Sequence, residues 1–129
     1  MITTEYDVVG IGNAIVDVIA KTDQAFISQN ALTKGTMAII DAAVAEELYR
    51  TMGSSIEISG GSAANTLAGI AALGGKGAFV GKVGNDQLGD VFRRNICATG
   101  LYFGTPPQIN GIPTARCFIF VTPDGERTM

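Results

Sequence analysis

Three positions near the middle of the chain have residue types and spacing suited to binding hydroxyl groups. Gly60 and Gly61 precede a run of small and apolar residues, and Asn65 lies in the first turn of that run. Glycines let a ligand approach the backbone closely, and a helix starting here presents unpaired N–H groups. An asparagine amide is both donor and acceptor, so it matches a hydroxyl. A lone Gly-Gly pair would indicate only a tight turn, but the added amide favours a hydroxyl-binding site.

A second pair of polar residues lies near the amino terminus. Asp17 follows Asn13 by four positions and is embedded in the apolar stretch AIVDVIA. Each residue alone is more often a surface or turn residue than a ligand-binding one. A carboxylate in apolar surroundings is costly unless something pairs with it. Two adjacent hydroxyls would satisfy it, because a carboxylate accepts two charge-assisted hydrogen bonds from a vicinal diol.

Composition excludes several other classes of function. The 129 residues are 47% hydrophobic and 16% charged, which is typical of a globular chain. The net charge is −3 without a basic cluster, so nothing supports nucleic-acid binding. Histidine is absent, which removes Ser-His and Cys-His nucleophile pairs and most zinc sites. Cys97 and Cys117 are interpreted as small core residues.

Targeting signals are absent from the sequence. No window holds eighteen consecutive apolar residues, and the first ten residues carry an early acid and no basic segment. We therefore expect a cytosolic protein, without a membrane span or a signal peptide.

Strands and helices alternate along the chain, which predicts an α/β architecture with a mainly parallel core sheet. The expected helices begin at the capping residues Asp23 and Asp41, at Ser62, and at Asn85 or Asp86. The helix over 62–73 is apolar almost all round and is expected to be buried. Strands are expected over 6–12, 14–22, 35–41, 55–59, 77–84 and 114–122, followed by a TPDG turn and a return strand.

Two stretches of the sequence match short nucleotide-binding motifs only in part. GIGNAI, at 10–15, starts like a dinucleotide fingerprint but has Ile15 at the third glycine position, and no helix is predicted after it. GIAALGGK, at 69–76, has Gly75 where a phosphate-binding loop needs its lysine, and its order is helix-loop-strand. A nicotinamide-dependent oxidoreductase is therefore the weakest hypothesis.

The long motif GGSAANTLAGIAALGG, at 60–75, resembles the amino-terminal signature of the PfkB family, the ribokinase-like carbohydrate and nucleoside kinases. GKVGNDQLGD, at 81–90, and TPDGERTM, at 122–129, resemble that family's next segment and its lid hairpin. The resemblance implies a ribokinase-like three-layer α/β sandwich with a mainly parallel central sheet and a small β lid. Lid strands are then expected near 14–22, 35–41 and 112–129. Three residues separate Asn13 from Asp17, and this spacing resembles that of the adenosine-kinase branch of the family.

The resemblance also assigns roles to individual residues. It implies that Asp17, Gly61 and Asn65, with Gly60 beside them, hold sugar or ribose hydroxyls, and that Asn13 lies next to the same hydroxyls. Met37, on the lid, corresponds to a position that covers the substrate. Arg127 corresponds to a lid residue that reaches toward the phosphates, although a solvated hairpin arginine fits equally well. Asp86 and its neighbouring glycines are expected to shape a turn.

The chain departs from the family pattern in its length. Family members are more than twice as long, and their GAGD stretch with the aspartate base, like the acidic N-x-x-E element, does not occur here. We expect residues 1–129 to be the amino-terminal part of a kinase domain, without the catalytic half. ATP and Mg²⁺ are implied as cofactors, with most of their site outside this chain and no metal ligand or catalytic base within it.

Two main hypotheses follow from the sequence. The first is an ATP-dependent phosphotransferase acting on a hydroxymethyl group of a sugar or nucleoside, with this chain supplying acceptor binding and no turnover by itself. The second is a non-catalytic module that binds a polyol through Asp17 and Asn65.

The family resemblance also implies a homodimer formed through the lid strands. The isolated chain should expose apolar surface and an unpaired sheet edge, which promote aggregation.

Overall fold

A computed structural model describes residues 4–129. It contains six strands, which are β1 (Val8–Ile11), β2 (Ile15–Lys21), β3 (Ile56–Gly60), β4 (Gly77–Val80), β5 (Ala115–Val121) and β6 (Arg127–Thr128). Its four helices are α1 (Gln24–Gln29), α2 (Ala42–Thr51), α3 (Ser62–Ala72) and α4 (Gln87–Ala98). The predicted α/β class is confirmed by this arrangement of strands and helices.

Aspartate side chains begin three of the helices, as the sequence predicts. Asp23, Asp41 and Asp86 each accept a hydrogen bond from a backbone N–H three residues later, at 2.8–2.9 Å. These bonds satisfy donors that a helix start leaves unpaired. Glycine ends α3 as expected, since Gly74 has a φ of 91° and its N–H donates to the carbonyl of Ala71.

The strands form two sheets. In the first, β1 pairs in parallel with β4, with Val8 opposite Gly77 and Ile11 opposite Val80. The second has the order β3-β2-β5-β6, and β6 runs antiparallel to β5. Residues 122–126 form the turn between these two strands, and Gly125 adopts a φ of 82° within it.

The described chain divides into two compact units. The first unit contains residues 4–16 and 58–116, and the second contains residues 17–57 and 117–129. Strands β2, β3 and β5 each have residues in both units, so the chain passes between the units along three strands.

Aromatic packing dominates the core of the first unit. Phe79, Phe92 and Phe103 lie with their ring centroids 5.4–5.7 Å apart, a separation typical of favourable aromatic pairs. The Arg93 guanidinium lies 4.7 Å from the Phe103 ring centroid and donates to the Phe103 carbonyl. Leu67 joins this core from α3, which packs against β1 and β4.

The core of the second unit follows the alternation of strands β2 and β5. Val18 and Ala20 of β2 and Phe118 and Phe120 of β5 are buried, whereas their neighbours along each strand are more exposed. One face of these strands is therefore the core face. Helices α1 and α2 contribute buried side chains to this unit, namely Ile27, Ala45 and Leu48.

Three sequence expectations need correction. Residues 35–41 form no regular strand. In the described part of the chain the Ala38 N–H donates to the Met129 carbonyl and the Met129 N–H donates to the Thr36 carbonyl, whereas the Thr36 N–H turns back to the Thr33 carbonyl. Helix α3 is not buried all round, since only Ala64 and Leu67 are buried and the following Leu73 is 91% exposed. Cys97 is exposed on α4 and is not a core residue.

Candidate functional site

Gly61 forms the junction between β3 and α3 and lies against Asn13. Its φ of 97° is a conformation that only glycine adopts without strain, and a Cβ atom here would lie 2.5 Å from the Asn13 carbonyl oxygen. Gly60, the last residue of β3, is buried beside it. The two glycines therefore allow the backbone before β2 to approach the start of α3 closely.

The first turn of α3 carries no side-chain cap. Gly61 is its N-cap residue and supplies no side-chain acceptor for the N–H groups of that turn. Asn65 begins the helical hydrogen bonding, with its N–H donating to the Gly61 carbonyl at 2.8 Å. Its side chain is exposed, and among the described residues no hydrogen bond to its amide group is found. This end of α3 thus offers backbone donors and one amide to a ligand.

Asn13 also lines an open cleft, which we call the Asn13 cleft. It has a volume of about 400 Å³, within the range of small-molecule sites. All its lining residues belong to the first unit, and they are Gly12, Asn13, Ala14, Ile15, Lys82, Val83, Gly84, Gln108, Ile112, Pro113 and Ala115. Of the predicted site residues, Asn13 alone lines this cleft.

Lys82 and Gln108 of the cleft were not found by sequence reasoning. Both are exposed polar residues on loops. Lys82 lies within the GKVGNDQLGD segment, but the resemblance assigned that segment only a turn-shaping role, and Gln108 lies in no motif. Such residues are common on protein surfaces, so composition and spacing carry no signal for them. Only the folding of residue 108 beside residues 83–85 reveals them, through hydrogen bonds of Gln108 N–H to the Val83 carbonyl and of Asn85 N–H to the Gln108 carbonyl.

Asp17 lies on β2 in the second unit. It is half-buried and projects from the strand face opposite the buried Val16 and Val18. This corrects the interpretation of the surrounding apolar run, because its valines occupy the core face while the carboxylate lies on the other face. Burial raises the pKa of Asp17. The pKa of Cys117 on β5 is also raised, by burial and then by the nearby charge of Asp17.

The remaining predicted residues lie on the hairpin and the segment before α2, also in the second unit. Met37 is 72% exposed, and Arg127 is exposed on β6. The hairpin is held by an ion pair between Lys34 and Asp124 and by a 3.0 Å hydrogen bond from the Gly35 N–H to the Thr128 hydroxyl. The Lys34 contact, with a hydrogen bond from Thr122, lowers the pKa of Asp124.

The structure therefore brings some predicted residues together and leaves others apart. Asn13, Gly60, Gly61 and Asn65 belong to the first unit, where Asn13 touches Gly61. Asp17, Met37 and Arg127 belong to the second unit.

No group of three or more His, Cys, Asp or Glu side chains within residues 4–129 could hold a metal ion. None of the helices in this part of the chain is both long and apolar enough to span a bilayer.

Comparison with known proteins identifies relatives of the whole chain. The sequence pattern described as "pfkB family carbohydrate kinase" matches residues 7–129. Guanosine-inosine kinase of Escherichia coli (strain K12) is 30% identical over an alignment of 129 positions that covers 94% of this chain and 30% of that protein. The crystal structure of adenosine kinase from Sinorhizobium meliloti superposes with a TM-score of 0.83 and 54% identity. A probable sugar kinase from Rhizobium etli CFN 42 has the same TM-score and 52% identity.

These comparisons also measure how much of each relative is represented. The match to the Sinorhizobium structure covers 98% of this chain but 38% of that chain. The chain thus spans about a third of the length of the proteins it matches.

Proposed function

The chain belongs to the pfkB family of carbohydrate kinases and resembles its adenosine kinases, and from this we propose that it is the acceptor-binding part of an ATP-dependent nucleoside or sugar kinase. The full-length protein would transfer the γ-phosphoryl group of ATP to a hydroxymethyl group. Adenosine, guanosine and inosine appear in the names of its relatives, which favours a nucleoside acceptor over a free sugar.

One observation carries the proposal: the uncapped start of α3 with the free amide of Asn65. The backbone N–H groups and the amide point to a ligand rich in hydroxyls, as a ribose is. The close approach of Gly61 to Asn13 supports placing the acceptor here, and we assign the adjoining Asn13 cleft to another part of the same acceptor.

The second unit supplies further proposed roles. Asp17 would accept hydrogen bonds from two adjacent acceptor hydroxyls, which would replace the hydration that this half-buried carboxylate loses. Met37 would cover the acceptor and exclude water. Arg127 would place a positive charge near the transferred phosphoryl group, where charge stabilisation accelerates phosphoryl transfer.

ATP and Mg²⁺ do not fit the residues of this chain. No acidic cluster among residues 4–129 could ligate the metal, and the sequence lacks a phosphate-binding glycine loop with its lysine. We therefore assign the general base and most of the ATP and metal site to the remainder of the full-length protein. The 129-residue chain alone is then expected to bind the acceptor without turnover.

The proposal is tested by ATP consumption of the full-length protein with adenosine, guanosine, inosine, ribose and fructose. We expect turnover with a nucleoside. Asn65→Ala should weaken acceptor binding about tenfold, the value of one or two hydrogen bonds. Asn95→Ala is the matched control, because the Asn95 amide donates to the Val91 carbonyl of its own helix. Absence of ATP consumption with every acceptor would reject the kinase.

A polyol-binding module without catalysis is the second candidate. The absence of a metal-binding cluster from residues 4–129 favours it for the chain by itself. Calorimetric binding of a nucleoside or sugar, combined with no ATP consumption by the full-length protein, would establish this function.

Dimerisation through the lid strands is a further part of the proposal. Strand β6 ends the sheet order, and residues 36 and 38 hydrogen-bond to Met129 directly after it, so the edge proposed to accept a partner's strand is the one formed by this segment. Sedimentation of the full-length protein tests it, since a monomer at micromolar concentration would exclude a stable dimer.

A further inference from the structure

Asp86 forms a compact hydrogen-bond network with Thr114. One carboxylate oxygen accepts from the Thr114 hydroxyl at 2.6 Å and from the Gly89 N–H at 2.8 Å. The other accepts from the Thr114 N–H at 2.8 Å. The Thr114 hydroxyl oxygen in turn accepts from the Gly84 N–H at 2.9 Å. We call this arrangement the Asp86–Thr114 clasp.

The clasp exceeds what capping a helix requires. An N-cap aspartate needs only the bond from the N–H three residues later, here Gly89. The two additional bonds go to a residue 28 positions away in sequence. Thr114 is 4% exposed, and a Cβ atom on Gly89 would lie 2.2 Å from the Gly84 carbonyl oxygen. These tight contacts leave the loop after β4 little freedom to move.

The two segments joined by the clasp both line the Asn13 cleft, and we call them its two walls. Val83 and Gly84 come from the segment that leads to Asp86, and Pro113 and Ala115 lie on either side of Thr114 in sequence. The polar atoms of the clasp are themselves satisfied by one another. The clasp therefore sets the separation of the walls without occupying the polar groups of the cleft that would hydrogen-bond to a ligand.

We propose that Asp86 is a positioning residue that holds the two walls of the Asn13 cleft through Thr114, and thereby sets the affinity for the acceptor. This inference rests on the proposed function, which assigns the cleft to the acceptor. Asp86 itself does not line the cleft, so its effect is transmitted by Thr114 and the loop. Binding of the acceptor should depend on the clasp much more than the chemical step or ATP binding does.

The test compares Thr114→Val with Thr114→Ser in the full-length protein. Valine has nearly the same shape but removes the hydroxyl, whereas serine keeps it. We expect Thr114→Val to raise the acceptor KM and Kd about tenfold, with kcat and the ATP KM changed less than about twofold. Thr114→Ser should restore the acceptor KM to near the wild-type value.

Two other variants keep the test decisive. Asp86→Asn retains the helix cap and provides a test even if Thr114→Val does not fold. It should raise the acceptor KM, because the asparagine NH₂ group would face the Thr114 N–H, and two donors cannot form a hydrogen bond with each other. Thr99→Val is the structural control, since the Thr99 hydroxyl donates to the Ile96 carbonyl at the far end of α4. It should lower the melting temperature without moving the acceptor KM.

The outcomes separate this inference from the proposed function. If the wild-type protein consumes no ATP with any acceptor, the proposed kinase function fails. If it is active but Thr114→Val and Asp86→Asn leave the acceptor KM unchanged, or change acceptor KM, ATP KM and kcat together with the melting temperature, the positioning role is overturned.

Discussion

Asn13 and Gly61 approach each other so closely that a Cβ atom on Gly61 would lie 2.5 Å from the Asn13 carbonyl oxygen. This contact joins the segment before β2 to the start of α3, where the free amide of Asn65 is located. Both the left-handed backbone and the lack of space require glycine at position 61.

Gly61→Ala is expected to destabilise the protein by about 1–3 kcal/mol and to abolish measurable acceptor binding. Alanine would be strained in the left-handed backbone conformation at position 61, and its Cβ atom would clash with the Asn13 carbonyl oxygen. Gly69→Ala is the matched control within the same helix. No atom lies within 4 Å of a Cβ there, and alanine should stabilise the helix by about 0.5–1 kcal/mol. Urea unfolding of the full-length protein measures both, and equal stabilities would contradict the contact.

Asp17→Asn should separate stability from binding. Because burial raises the pKa of Asp17, the protonated carboxyl adds stability below its ordinary pKa, and this is lost as pH rises through the raised value. At pH 7 the amide variant should therefore melt at the same temperature as the wild type or higher. Acceptor affinity should fall roughly 100-fold, as two charge-assisted bonds are lost.

The control for that experiment is Asp90→Asn, which changes an exposed carboxylate in the first turn of α4. It should leave acceptor affinity unaltered. A clear fall in the melting temperature of Asp17→Asn would show that the carboxylate has a structural partner.

Asp86 should make stability depend on acid pH. Burial by itself would raise the pKa of this carboxyl, but hydrogen bonds from the Thr114 hydroxyl, Thr114 N–H and Gly89 N–H lower it overall, with help from the charge of Arg116. The stabilisation by Asp86 is thus present above the ordinary carboxyl pKa of about 3.9, and it is lost as pH falls through the lowered value. Melting temperatures of wild type and Asp86→Asn should converge below about pH 4, and a constant difference would refute this.

Arg127→Ala should lower kcat at least about tenfold in the full-length enzyme, while the melting temperature stays constant, because the side chain is exposed on β6. Arg94→Ala changes an exposed arginine whose guanidinium donates to its own helix, at the Asp90 carbonyl, and should have no kinetic effect. Equal kcat values for Arg127→Ala and wild type would identify a solvated hairpin arginine.

The isolated 129-residue chain should self-associate through the β1–β4 sheet. Val9 and Ile11 are 58% and 79% exposed on one face of β1, and Val80 opposite Ile11 is 42% exposed. Contiguous exposed apolar surface favours association. Ile11→Glu should reduce light scattering at equal concentration, whereas Leu73→Glu, which changes an exposed residue outside this sheet, should reduce it less. A monomeric wild-type chain would contradict this prediction.

The sequence alone determined where the helices begin and which family the chain belongs to. Short-range chemistry carries this information, since the caps at Asp23 and Asp41 are each satisfied three residues later, and the signature around Asn65 is contiguous. The family prediction is confirmed by the match over 7–129.

Tertiary structure decided what depends on distant partners. The sequence indicated a turn around Asp86, but not that Thr114, 28 residues later, would complete its hydrogen bonds. It did not reveal which face of β2 would carry Asp17, or that Gln108 would fold beside residues 83–85 to line a cleft with Asn13. Residue type and periodicity describe local preferences, whereas strand pairing, burial and loop contacts depend on residues far apart in the chain.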